Sequence, residues 1–71
     1  MAHAPNAILQ GGGSLVPDEE RIRYVEFPTR TYKLFLGNRH EHYEPTGSVH
    51  AHADGRELHV FRWVRRTYVA E

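Results

Sequence analysis

The chain has 71 residues, room for one domain with a thin core, and a core that small usually leans on a disulfide, a metal or a partner subunit. There is no Cys, which removes disulfides, thiolate metal sites and Cys nucleophiles and fits a reducing compartment. Lys plus Arg and Asp plus Glu both number nine, so the basic excess of a general nucleic-acid binder is missing.

Residues 1–6 read as a disordered lead, without the basic and apolar regions of a signal peptide, and residues 7–71 as a single β-rich domain. Ala7 to Gln10 forms a short strand through Ile8 and Leu9, which Gly11, Gly12 and Gly13 then break. Ser14 to Glu20 is a loop around Pro17. A helix starting at Pro17 with Asp18, Glu19 and Glu20 in its first turn is rejected, because Ile22, Tyr24, Val25 and Phe27 continue with the alternation of a strand. After the break at Pro28, Thr31 to Leu36 is a strand with Tyr32, Leu34 and Leu36 on one face. Gly37 and Asn38 bend or bulge it, and Arg39 to Glu44 runs on extended.

Two hairpin signals follow. Pro45-Thr46-Gly47 has Pro and Gly where a three-residue turn with a Gly bulge wants them, which sets His42 opposite His50. Asp54-Gly55 suits a type I′ turn, which sets His50 opposite His59 and Val49 opposite Val60. Leu58 to Val69 is a long last strand rich in β-branched and aromatic residues. These registers put Tyr43, Val49, Ala51, Leu58, Val60 and Val64 on a core face. His40, His42, His50, His52, Glu57, His59, Phe61 and Trp63 fall on the opposite one.

The expected fold is therefore mainly all-β: a curled antiparallel sheet of four to five strands, approaching a half-open barrel. No apolar run approaches the roughly 20 residues of a membrane span, and the expected location is cytoplasmic.

Six histidines are the most unusual feature. His40-Glu41-His42 and His50-Ala51-His52 each place two rings on one side of a strand, and the registers line up His42, His50 and His59. Three such ligands with an open position could hold zinc for hydrolysis, with Glu44 or Glu57 as a supporting group or base. The simpler reading is a wet sheet face that carries histidines and no cofactor. Phe61-Arg62-Trp63-Val64-Arg65-Arg66-Thr67-Tyr68 interleaves arginines with aromatics, as sheet-based RNA binders do. Neutral net charge disfavours nucleic acid, and the alternative pairs these arginines with Asp18, Glu19, Glu20 or Glu26. The three glycines lack the spacing of a phosphate-binding loop, and neither Ser14 nor Ser48 sits in a nucleophile elbow. The chain is short to enclose a large ligand pocket alone.

Three phrases run through the chain: Ala7-Ile8-Leu9-Gln10-Gly11-Gly12; Glu41-His42-Tyr43-Glu44 with Thr46-Gly47; and Val60-Phe61-Arg62-Trp63 through Arg66-Thr67 to Ala70-Glu71. Together they resemble a family of short uncharacterised actinobacterial proteins, often encoded in or beside natural-product biosynthetic clusters. The resemblance implies a setting in specialised metabolism and no established activity. Of the histidines only His42 falls in a family-like phrase, which counts against the metal reading.

These readings converge on a non-catalytic accessory protein that binds another protein, an enzyme or regulator of specialised metabolism, and that forms a homodimer. The expected contact residues are Phe61, Arg62, Trp63, Arg65 and Tyr68, residue types that dominate interface energetics. Zinc binding or metal-dependent hydrolysis at His42, His50 and His59 is the first alternative. Small-metabolite binding or self-resistance is the second.

Overall fold

A computed structural model describes residues 4–69. The expected disordered lead falls partly outside that range, at residues 1–3, as do residues 70–71 of the expected domain. Strands β1 (Ala7–Gln10), β2 (Ile22–Arg23), β3 (Tyr32–Leu36), β4 (Arg39–Ala51) and β5 (Glu57–Tyr68) make one 5-stranded sheet in the order β2-β1-β5-β4-β3. β3, β4 and β5 form an antiparallel meander, β1 lies parallel to β5, and β2 pairs antiparallel with β1. The protein is mainly β, as expected. The sheet stays open, with β2 and β3 as its edges. Among the described residues no helix is long and apolar enough to cross a membrane.

Local chemistry explains where the elements depart from the sequence reading. The strand expected from Ile22 to Phe27 ends at Arg23. Beyond it the Asn6 side chain takes over as Val25's partner, donating to its carbonyl at 2.9 Å and accepting from its N–H at 2.7 Å. Val25 is thereby turned into the core. The rejected helix at Pro17 exists as one 3-10 turn, Asp18–Glu20, with Pro17 at its N-cap. A second such turn spans Gly13–Leu15. Gly37 and Asn38 do not merely bend a strand; they connect β3 to β4 as a two-residue hairpin, Leu36 facing Arg39. Gly37 has φ +61 and Asn38 keeps a negative φ, the pattern of a turn that needs Gly first.

The largest correction concerns Pro45-Thr46-Gly47. These residues do not reverse the chain. β4 runs through them, with Pro45 opposite Phe61 and Val49 opposite His59. Thr46, Gly47 and Ser48 bulge out against Val60, stitched by the Thr46 hydroxyl, which donates to the Val60 carbonyl at 3.0 Å and accepts from Ser48 N–H at 3.2 Å. Gly47 supplies the positive φ of +84 that such a kink requires. The turn chemistry is real, and it serves a bulge because β5 is long enough to pair with both halves of β4.

The second hairpin does turn, one register step from expectation. Ala51 faces Glu57, and His50 faces Leu58 instead of His59. Asp54 keeps a negative φ, so the two-residue type I′ turn does not form. Its carboxylate instead accepts from Arg56 N–H at 3.0 Å and lies 3.2 Å from His52 Nδ1, closing a wider loop. Val49 and Ala51, expected in the core, are exposed.

The core is Ala7, Leu9, Val16, Val25, Leu34, Tyr43 and Phe61, flanked by Tyr32, Leu36 and Trp63. It lies on one face of the sheet, the inner face, under the segment that joins β1 to β2.

Candidate functional site

The inner face carries a polar cluster built around Glu41. Residues two apart on a strand share a face, so Arg39, Glu41 and Tyr43 of β4 all point inward, opposite Tyr68, Arg66 and Trp63 of β5. Glu41 is fully buried. Its carboxylate accepts from Arg66 Nε at 2.6 Å, Trp63 Nε1 at 2.8 Å and Arg39 Nε at 2.9 Å. Burial pushes its pKa up, but the hydrogen bonds from Arg66, Trp63 and Arg39 outweigh that and hold it below the usual carboxylate value.

The same arginines reach on to the glycine loop. Arg66 donates to the Gly12 carbonyl and Arg39 to that of Leu15. Arg21 donates to the carbonyls of Leu9, Gly11, Gly13 and Val16. The Tyr43 hydroxyl donates to Gly11, and burial pushes its pKa up. Three guanidinium groups and a phenol thus clamp the Gly11–Val16 loop onto the sheet, with Glu41 orienting two of them. Glu41 is the most sequestered acid, yet it is saturated with donors and held ionised. That suits a structural anchor and not an exchanger of protons.

Gly12 shows how close the loop comes. It has φ +98, and a Cβ there would lie 2.9 Å from Val16 Cγ2 and 3.0 Å from Trp63 Cδ1. No residue but glycine fits under those conditions.

The expected contact residues do not form one surface. Phe61 and Trp63 point inward with Tyr43, and Phe61 is fully buried in the core. Trp63 is half-buried and tied to Glu41, so its removal would damage the fold before it damaged an interface. Tyr68, 63% exposed, stands at the rim of that inner face. Arg62 and Arg65 are exposed on the other side of the sheet. Alternation splits the segment, and the register shift near Val64 swaps its phase again.

The histidines are separated likewise. His42 faces Arg65, His50 faces Leu58 and His59 faces Val49, and the bulge at residues 46–48 lies between the first and the others. Among the described residues there is no group of three or more His, Asp or Glu that could hold a metal ion. The zinc arrangement of His42, His50 and His59 required the Pro45–Gly47 reversal, and fails with it. Glu44 and Glu57 face Arg62 and Ala51.

The outer face of β3, β4 and β5 is the surface that remains open. Two rows cross it: Lys33, His42 and Arg65, and beside them Phe35, His40 and Thr67. Phe35 is 59% exposed, with its ring edge-on to His40 at 4.7 Å between centroids. Lys33, Arg65 and Thr67 are exposed. His42 lies buried among them, sharing a 2.8 Å hydrogen bond with the Thr67 hydroxyl. Its pKa is pushed down by burial and by the charges of Arg65, Lys33 and His40. Of these residues, sequence reasoning singled out Arg65, His40 and His42. Lys33 and Phe35 were missed, although the alternation that turns Tyr32, Leu34 and Leu36 inward already turns these two outward.

Beside the bulge lies an open groove of about 440 Å³, walled by Pro28, Pro45 and Val60, with the polar groups of Thr46, Ser48 and His59 at its margin. The groove falls in the size range of small-ligand sites, larger than the chain length suggests.

A model of a family of unknown function, DUF5988, matches residues 1–71. No curated protein and no solved structure matches the chain.

Proposed function

This chain belongs to that family of unknown function, and we propose that it is a non-catalytic accessory protein that binds another protein, an enzyme or regulator of specialised metabolism. The observation that carries the reading is the outer face of β3, β4 and β5. There a large aromatic, Phe35, stands 59% exposed, two strands from Arg65 and one row from Lys33. Exposed aromatic surface rimmed by charge marks association sites, and aromatic and Arg side chains dominate their energetics. The setting in specialised metabolism rests on the resemblance of the three sequence phrases.

The test is purification of the full chain from its native host beside a Phe35→Ala, Arg65→Ala double variant. A protein that co-purifies with the wild type, rebinds when both are purified separately, and is lost with the variant supports the reading. A partner retained by the variant overturns this face as the contact. A second reading, binding of a small metabolite, is favoured by the groove beside the bulge. Thermal stabilisation by a small molecule fractionated from a native-host extract, abolished by Val60→Arg, would favour it over the first.

A further inference from the structure

We infer that the outer face docks an acidic peptide segment of the partner, with carboxylates held across the Lys33–His42–Arg65 row and an apolar side chain on Phe35. This rests on the accessory reading and specifies the chemistry of the partner. Lys33, His42 and Arg65 come from three adjacent strands and stand opposite one another. Strands lie about 4.8 Å apart, so the Lys33 and Arg65 backbones, one on each side of His42, are about 10 Å from each other, a span two flexible cationic side chains close readily over one carboxylate. Among the described residues neither Lys33 nor Arg65 has a carboxylate within ion-pair distance. Neither row contains an acidic residue, and the nearest on the same face, Glu44, stands opposite Arg62.

The groups facing His42 are Lys33 from β3, His40 from β4, and Arg65 and Thr67 from β5, with the Glu41 charge acting on it through the sheet from the inner face. In the free protein burial, and after it the charges of Arg65, Lys33 and His40, hold the pKa of the ring below its ordinary value. A carboxylate laid on the row offsets their charge and favours a protonated ring that donates to it. Docking therefore tightens as pH falls. An acidic peptide fits better than a nucleic-acid strand. The chain has nine basic and nine acidic side chains, and this face carries one exposed phenylalanine where sheet-based RNA binders present two or three stacking rings.

The probe is a fluorescein-labelled ten-residue glutamate-rich peptide with one central leucine, titrated with the full chain and read by anisotropy. Saturable binding is expected that weakens with salt and tightens about threefold or more from pH 8 to pH 6. Lys33→Gln with Arg65→Gln should weaken it about tenfold, Arg65→Lys should largely retain it, and His42→Gln should remove the pH dependence. All three side chains lie on the outer face away from the core cluster, and circular dichroism confirms the fold of each variant. No saturable binding, equal binding of the peptide with Gln in place of Glu, or equal binding by the double variant overturns the inference. Tighter binding of a ten-nucleotide thymidine strand overturns it in favour of nucleic acid. If the peptide fails while a host partner is still lost with Phe35→Ala, Arg65→Ala, acidic docking is refuted and the accessory reading stands.

Discussion

Glu41→Ala tests whether the buried carboxylate holds the molecule together. The substitution removes the acceptor of three hydrogen bonds, from Arg66 at 2.6 Å, Trp63 at 2.8 Å and Arg39 at 2.9 Å. Taking one partner from a buried ion pair costs about 3–5 kcal/mol. The Arg39 and Arg66 side chains keep 22% and 20% of their surface exposed, so water can partly replace the carboxylate, and the lower end, about 3 kcal/mol, applies. A domain of this length has roughly 4–11 kcal/mol to lose. The variant should therefore melt about 15 °C or more below the wild type. Urea unfolding followed by Trp63 fluorescence reads this directly, since the chain has one Trp and that indole donates to Glu41. In a cycle with Arg39→Ala the two losses should fall short of additive by about 1 kcal/mol or more. The carboxylate is depressed, so its contribution is complete above its ordinary value of 4.5 and is lost as pH falls through its folded value. Wild type should shed stability below that point, and Glu41→Ala should shed less. A loss under about 1 kcal/mol, or strict additivity with Arg39→Ala, would refute the reasoning.

Gly12→Ala should destabilise by about 2–4 kcal/mol, combining left-handed backbone strain with its collisions against Val16 and Trp63. Gly13→Ala meets nothing within 4 Å and should cost only the backbone part, about 1–2 kcal/mol; equal losses in urea titrations would contradict the close approach at Gly12. The His42 imidazole should titrate below its ordinary value of 6.5 when followed by NMR, and the neutral ring's contribution to stability, full above that value, should be lost as pH falls through the folded one. His42→Gln should flatten that slope, and an unchanged slope would assign it elsewhere. β3 leaves one edge unpaired, and pairing of two such edges would give the expected homodimer; light scattering at tens of micromolar, a range set by typical affinities, checks it, and a stable monomer refutes it.

Alternation, together with apolar and β-branched composition, identifies most of the strands in the sequence, because a strand buried on one side alternates and favours residues that pack on a pleated surface. Ala7–Gln10 is recovered as written, Tyr32–Leu36 and Glu57–Tyr68 within one residue at each end, and the inward set Tyr32, Leu34 and Leu36 with the right face. It also shows that turn chemistry sits at Pro45–Gly47 and Asp54-Gly55. It does not show what each turn does. A Pro-Thr-Gly segment satisfies a reversal and a bulge equally well, and β5, long enough to pair on both sides of it, selects the bulge. That choice separates His42 from His50 and His59. A one-step change at the second turn then sets Val49 against His59 instead of Val60, and the side-chain period of two puts Phe61, in place of Val60, on the face of Tyr43. The anchor at Glu41 was hidden for the same reason. Its donors lie 2, 22 and 25 residues away, and only the ladder between β4 and β5 brings Trp63 and Arg66 against it. The outer face follows from that ladder too, since Lys33, His42 and Arg65 are scattered along the chain and become a row only when three strands share one register.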